Sequence, residues 1–329
     1  MKRLVMVGCG GFSRRYHMQT LLADAQTKIV GIFDPHPVPQ VHDIVSQTGA
    51  LLVDRLDQLP EADAALVTTP HALHAQHITY TLERGWATLV DKPFVMDLAD
   101  GRRLAETARA RGLINAVGFN RRLDRGCRHA REVIASGALG AVRLVQTVQL
   151  GYEAGGWFLQ PELGGGGAFT GRATHMADIV PWMLQKRPTR VHSRLRPGPS
   201  GRVDKGGFID LEFADLECQM ICIDQGLHMW DEIRIFGETG FIEMRRPLDL
   251  GTGWSMVWTA ADGSVRESVA ADAGTGLITT DFLGALQQGT PVACTFADAL
   301  LSVEIIQAAF ASAASQHAND QHGVPLSAV

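Results

Sequence analysis

The chain has 329 residues, of which 46% are hydrophobic and 20% charged, and its formal net charge is −5. That length exceeds what one hydrophobic core usually serves, which predicts two domains, and the composition excludes an intrinsically disordered chain. The acidic balance and the lack of a long basic run argue against a nucleic-acid partner, and no run of about 18 uninterrupted apolar residues suggests a membrane span.

The chain opens on Met1-Lys2-Arg3 and a short apolar run that stops at Gly8, too short for the core of a secretory signal, so a cytoplasmic location is expected. Five scattered cysteines (Cys9, Cys127, Cys218, Cys222, Cys294) fit a reducing compartment without a disulfide framework. Cys218 and Cys222, four apart on a predicted strand, read as buried thiols rather than a metal site.

Residues 2–7 predict a strand, and Gly8-Cys9-Gly10-Gly11-Phe12-Ser13 predicts a tight turn into a helix running to about residue 23. This is the strand, turn and helix start of a dinucleotide fingerprint, with Ser13 at the third glycine position. The first two glycines let the backbone turn and approach a pyrophosphate, and small Ser13 keeps helix and strand close. The next strand, 28–33, ends at Asp34, about twenty residues on, where a carboxylate binds the adenosine ribose and repels a 2′-phosphate. NAD is therefore expected, and NADP disfavoured.

Strands 64–68, 87–90 and 115–119 alternate with helices 71–84 and 99–111, which predicts a parallel sheet covered on both faces. Thr68-Thr69-Pro70 lies at a strand end, followed by His71, His74 and His77. Spread around a helix without a converging carboxylate or cysteine, these predict surface or helix-start histidines and no metal. Asp91-Lys92-Pro93 follows a short apolar strand, so Lys92 is expected at the carboxyl end of the sheet, where open α/β folds bind ligands. It is the candidate proton-handling lysine. Arg121, Arg122, Arg125, Arg128 and Arg131 have the helical spacing of a solvated face.

From about residue 121 the pattern changes to strands 142–150, 190–195, 208–213, 218–224, 232–236 and 241–245. Ile209, Leu211 and Phe213 alternate with acidic residues, as a sheet with one covered face requires. The expected fold class is α/β: a doubly wound dinucleotide-binding domain over 1–120, then an α+β domain over 121–329 with a largely antiparallel, open-faced sheet. A helix over 169–184 would place Gly171, His175, Asp178 and Trp182 on one face, with Ala168, Met176, Ile179 and Met183 packed elsewhere and a kink near Pro181.

In order and spacing these motifs resemble the Gfo/Idh/MocA oxidoreductases. The resemblance rests on Gly8-Cys9-Gly10-Gly11, Thr69-Pro70 with His74, Asp91-Lys92-Pro93 in place of the commoner Glu-Lys-Pro, Gly118-Phe119-Asn120-Arg121-Arg122, Gly137-Ala138-Leu139-Gly140, Trp157 before the glycine run 164–167, His175 with Asp178, and Asp281-Phe282. It implies Lys92 and His175 beside a nicotinamide. It also implies a cofactor site of Gly8, Gly10, Gly11, Phe12, Ser13, Asp34, Thr68, Thr69, Pro70, His74, Asp91, Lys92 and Asn120, with Arg172, Asp178 and Trp157 toward substrate. Two positions depart from the family pattern: Gly171 stands where an aspartate usually precedes the histidine by four residues, and Ala173 replaces a glycine.

The activity so implied is NAD(P)-dependent hydride transfer at a secondary alcohol or ketone of a sugar, polyol or sugar acid. In that chemistry Lys92 polarises the reacting oxygen and His175 moves the proton. Asp178, Arg172, the substrate or a larger share for Lys92 would compensate for Gly171, and Arg172 suits an acidic sugar. The alternative is a catalytically silent nucleotide-binding sensor, and a third reading keeps NADP bound for transfer between sugars. A homodimer or homotetramer is expected, joined through the open sheet face.

Overall fold

The computed structural model describes residues 1–152, 155–199, 203–224, 229–246, 253–271 and 276–319. Its first sheet comprises β1 (Lys2–Val7), β2 (Thr27–Phe33), β3 (Leu51–Val53), β4 (Ala64–Val67), β5 (Ala87–Val90) and β6 (Asn115–Val117). Their order is β3-β2-β1-β4-β5-β6 and every pairing is parallel. The strand order reverses between β1 and β4, which opens the crevice where such sheets bind dinucleotides.

All four residues of β4 and of β5 are buried, because helices cover both faces of the sheet. Consecutive residues of β1 serve opposite cores: Val5 and Val7 pack with Ile78, Leu82 and Leu104, whereas Leu4 and Met6 pack with Met18, Ile29 and Val41. The helices are α1 (Gly11–Tyr16), α2 (Met18–Ala23), α3 (Pro39–Thr48), α4 (His74–Glu83) and α5 (Leu98–Ala110). The single helix expected to reach residue 23 is two, broken at His17.

The second unit holds α6 (Arg125–Ala135), the short α7 (Pro161–Gly164), α8 (Thr174–Leu184), α9 (Leu277–Gln288) and α10 (Phe296–Asn319). Its sheet comprises β7 (Val142–Gly151), β8 (Arg190–Leu195), β9 (Gly206–Glu212), β10 (Glu217–Asp224), β11 (Trp230–Gly237), β12 (Gly240–Arg246), β13 (Ser255–Ala260) and β14 (Val265–Val269). The order is β14-β13-β12-β11-β7-β10-β9-β8, antiparallel except where β10 runs parallel to β7. One face packs on α6, α8 and α10 through residues such as Val145, Ile209, Cys218, Cys222, Ile235 and Ile242. The thiols of Cys218 and Cys222 are both buried in this core, on one side of β10.

The chain does not divide its cores at residue 120. Phe282, Leu283 and Leu286 of α9 complete one face of the first sheet, and Cys294, Phe296, Ala299 and Val303 complete the other. Helix α10 then continues into the core of the second sheet with Ile305, Ile306 and Ala309. Its segment Phe296–Ser315 has the length and mean hydropathy (1.4) of a membrane span, yet this packing makes it the helix shared by both units. Phe296 is fully buried and stacks on Phe94 with ring centroids 4.5 Å apart. Phe296→Ala should cost about 3–5 kcal/mol of stability; denaturant unfolding is expected to show it as a lowered midpoint.

Candidate active site

The loops after β1, β4, β5 and β6 meet at the carboxyl edge of the parallel sheet, and the second unit closes over them. Between lies a cavity of about 400 Å³, lined by Phe12, His17, Lys92, Gly118, Asn120, Gln149, Arg172, His175, Asp224 and Arg246 among others. On the cofactor side Gly8 has a φ of +90°, and a Cβ there would lie 2.8 Å from Thr69 Cγ2 and 2.9 Å from the Thr68 carbonyl. Only glycine suits both constraints. Thr68 Oγ1 donates to Gly8 O at 2.8 Å and fixes the two strand ends together. Added Cβ atoms at Gly10 and Gly11 would meet nothing within 4 Å, so the loop presents bare backbone to an open space. Asp34 accepts from the Cys9 N–H (3.2 Å) and the His36 N–H (3.0 Å), which holds its carboxylate beside that loop. Asn120 Oδ1 is buried with no hydrogen-bond partner among the described residues. An open glycine loop, an acid at the end of β2 and an orphaned acceptor on the cavity wall fit a dinucleotide carrying a nicotinamide.

Lys92 projects from the end of β5. The backbone around it is held by Asp91 N–H on Val67 O (3.0 Å) and Gly118 N–H on Val90 O (2.8 Å), and a cis peptide joins Lys92 to Pro93. The ring of His74, fully buried, has Nδ1 2.8 Å from Pro93 O and Nε2 3.0 Å from Thr69 O, so it bridges the ends of β4 and β5. The Lys92 ammonium donates to Gly171 O at 2.8 Å.

Gly171 belongs to a π-helical turn, Phe169–Ala173, that leads into α8 and so carries His175 to the cavity. Asp204 secures that turn: its carboxylate accepts from the N–H groups of Gly167 (2.5 Å), Phe169 (3.2 Å) and Gly206 (2.9 Å). A Cβ on Gly167 would lie 1.8 Å from the Asp204 carbonyl, which explains one glycine of the run 164–167.

Burial lowers the Lys92 pKa to about 8, Asp91 opposes the shift, and Arg172, Arg121 and Arg246 add to it. Burial also holds the His175 pKa well below its ordinary value, and Arg121, Lys92, Arg246 and Arg172 push it in the same direction. His175 is thus a neutral imidazole at pH 7, and its Nδ1 has no hydrogen-bond partner among the described residues.

Asp178 does not reach the cavity. It is buried against Arg122, which donates to both carboxylate oxygens from Nε (3.1 and 3.0 Å) and to Oδ1 from Nη2 (2.6 Å). Burial works against the charge on Arg122, but Asp178 outweighs it and the guanidinium is held more firmly protonated. The expected shared face of residues 171, 175, 178 and 182 is split: Gly171 and His175 line the cavity, whereas Asp178 is drawn to Arg122 and Trp182 packs against the core. Ala168, Met176, Ile179 and Met183 do pack in the core.

Trp157 is likewise absent from the cavity wall. It stacks on Phe158 at 3.7 Å and meets His71 edge-on, while Phe158 and Leu159 line the cavity instead. Arg172 does line it, paired with Asp224 and donating to Tyr152 O at 2.6 Å.

His71 opens a 3-10 turn and His74 opens α4, the helix-start placement expected, but these two and His77 are buried rather than on the surface, each satisfied by the protein: His71 by Gly164 O and His77 by Thr69 Oγ1. Arg121 and Arg122 are also buried, unlike exposed Arg125 and Arg128; Arg121 pairs with Asp231 at 3.3 Å and its guanidinium lies over the ring of Trp254. Sequence reasoning missed His17, which lines the cavity at the break between α1 and α2. Its Nδ1 is 2.8 Å from Thr279 Oγ1 of α9, and its Nε2 lies 3.4 Å from Asp91 Oδ1, too poorly aligned for a hydrogen bond. Only a histidine soon after the glycine loop hinted at it.

Residues 2–119 match the model of the oxidoreductase family with an NAD-binding Rossmann fold, and residues 127–243 match the GFO/IDH/MocA C-terminal domain. The chain belongs to the GFO/IDH/MocA oxidoreductase family. Similar proteins include 1-carboxy-3-chloro-3,4-dihydroxycyclohexa-1,5-diene dehydrogenase of Comamonas testosteroni, 26% identical over 61% of this chain and 53% of its own length. Inositol 2-dehydrogenase 3 of Saccharopolyspora erythraea is 24% identical over 76% of this chain and 69% of its own. The alignment thus spans about half of the first relative and about two thirds of the second. Among solved structures, GenD2 from gentamicin A biosynthesis, in complex with NAD, is 25% identical with a TM-score of 0.80, covering 95% of this chain and 94% of that one.

Removing one member of a buried ion pair typically costs about 3–5 kcal/mol. Asp178→Ala is therefore expected to lower the unfolding free energy by that amount while NADH affinity, followed by fluorescence, stays at the wild-type level.

Proposed function

We propose that the chain is an NAD-dependent oxidoreductase acting on a secondary alcohol or ketone of a sugar, polyol or sugar acid. The observation that carries this reading is the convergence of Lys92 Nζ and the His175 imidazole on one cavity, beside an open glycine loop. The Asp34 carboxylate favours NAD over NADP, because a 2′-phosphate would meet a like charge. A carboxylated dihydroxy ring is what the name of the Comamonas relative describes, which fits the sugar-acid end of the range.

When bound, NAD supplies the hydride acceptor for the carbinol carbon. The protein must then remove the hydroxyl proton. A general base works best with a pKa near the working pH, and Lys92, at about 8, meets that condition better than the strongly depressed His175. The division of labour expected from the sequence is therefore reversed: neutral Lys92 takes the proton in oxidation and its ammonium returns it in reduction. His175, uncharged, holds the substrate hydroxyl through a ring nitrogen. The Lys92 bond to Gly171 O keeps the amine at the cavity wall before substrate arrives.

For oxidation, kcat/KM should rise with pH as Lys92 loses its proton near pH 8, then level; for reduction it should fall over the same interval. Lys92→Ala is expected to lose about 10²–10⁴-fold in kcat/KM. Wild-type-like turnover in that variant, or an oxidation profile flat from pH 6.5 to 9, would remove Lys92 from the role. Tight NADH binding without turnover across a broad sugar and polyol panel would favour the silent sensor instead.

The uncovered face of the second sheet carries Phe208, Ile221 and Val148 in one cross-strand row and Phe236, Leu144 and Phe241 in another, all half-buried. We propose that a second copy covers them, as two apolar rows on one face require a partner. Light scattering is expected to give a dimer or tetramer mass; a monomer at working concentration would refute this.

A further inference from the structure

Two buried groups beside the cavity, His17 and Asp91, have no part in the proton transfer described above. Residues 87, 89 and 91 fall on one side of β5 and its extension, since side chains alternate along a strand. Ala87 and Leu89 pack there with Met18, Leu21, Phe282 and Leu283, so Asp91 points toward α2 and α9. Val90 packs on the opposite side, and Lys92, two residues further, leaves the strand that way.

The Asp91 carboxylate meets His17 at the break between α1 and α2. That ring is fully buried, with Nε2 3.4 Å from Asp91 Oδ1 and Nδ1 2.8 Å from Thr279 Oγ1. A carboxylate only accepts, so the ring hydrogen lies on Nε2 and Nδ1 accepts from the Thr279 hydroxyl. Phe12 closes a third side, its ring centroid 5.6 Å from that of His17. Gly118 makes room for the carboxylate, because a Cβ there would lie 2.8 Å from Asp91 Oδ1. Neither His17 Nε2 nor Asp91 Oδ1 has a hydrogen-bond partner among the described residues, so their contact is one of charge and dipole that no other described group competes for.

The consequence falls on Lys92. Its ammonium bonds Gly171 O at 2.8 Å, although its neighbour in sequence is an acid. Asp91 acts on it through its field, which raises the Lys92 pKa against burial, Arg172, Arg121 and Arg246. A carboxylate free to turn toward the amine would act far more strongly, since an opposite charge within about 4–6 Å moves a pKa by about 1–3.

We propose that His17 is a positioning residue: it holds the Asp91 carboxylate on the α2 and α9 side of the sheet, which leaves the Lys92 amine free to serve the cavity. Thr279 fixes the ring from α9, so a C-terminal helix reaches the reacting group through two side chains. The other groups that face the amine are Arg172, His175, Arg121, Arg246 and His71, while His74 faces Asp91; a change at His17 removes none of them.

The test reads the titration of Lys92 from the pH dependence of its acetylation by acetic anhydride in the full-length chain, followed by peptide mass spectrometry. His17→Leu removes the N–H, and Lys92 is expected to titrate higher by about one pH unit or more. His17→Gln, whose amide nitrogen reaches the place of Nε2, is expected to restore the wild-type value, which a role in packing alone does not require. Asp91→Asn is expected to lower the value, and adding His17→Leu to it should change nothing further. Where His17→Leu fails to fold, Thr279→Val takes its place and is expected to move Lys92 in the same upward direction. An unchanged Lys92 titration in the folded variant, or a His17→Leu shift that persists beside Asp91→Asn, would overturn the inference. The kinetic counterpart rests on the oxidoreductase reading: the rising limb of kcat/KM for oxidation should move to higher pH by the same interval. A shift in labelling with no matching movement of that limb would refute Lys92 as the base and leave the role of His17 standing.

Discussion

The hydrogen bond from Lys92 Nζ to Gly171 O joins the two units at the cavity that holds His175. Its donor stands at the carboxyl end of a buried parallel strand, and its acceptor lies in the π turn that introduces α8. Each end is separately braced: His74 ties the strand ends beneath Lys92, and Asp204 clamps the turn beneath Gly171. The amine and the imidazole are therefore placed by two scaffolds that must dock before either group has its working neighbour. Preorganisation of this kind is what allows a few polar groups in a site to act without first rearranging.

Much of the first domain was legible because its strands are covered on both faces. Runs such as Leu4 to Val7 and Ala64 to Val67 carry no polar residue, and glycine or proline follows their ends where the ligand loops begin. Short edge strand β3 carried too little pattern to be read. In the second domain the alternation in β9 and β10 was visible, since only one side of that sheet meets the core.

The candidate site was legible as residue types more than as contacts. Lys92, His175 and Arg172 reach the cavity; Asp178 and Trp157 do not. The reason at Asp178 is its partner, the buried Arg122, which holds the carboxylate away from the cavity. Arg121, Arg122 and the three histidines of the β4 loop look solvent-facing in sequence because polarity is their only local signal. Their burial depends on distant partners, Asp231, Asp178 and backbone carbonyls, that no spacing rule reveals. The same remoteness governs the charges: the depressed basicity of His175 arises first from its burial and then from four cations, Arg121, Lys92, Arg246 and Arg172, each on a different stretch of chain.

The shared helix α10 and its neighbour α9 bear on how the molecule comes to exist. Phe282, Leu286 and Phe296 fill the flanks of a sheet whose last strand ends at Val117. During synthesis the nucleotide-binding half therefore emerges first and waits, with both sheet faces incompletely covered, until α9 and α10 follow. A chain cut short before α9 leaves Leu4, Met6 and Leu66 without their cover, and a protease that trims the C-terminus acts on the cofactor site from the opposite end of the sequence. In this architecture α9 and α10 decide whether the strands translated long before them can hold a nucleotide.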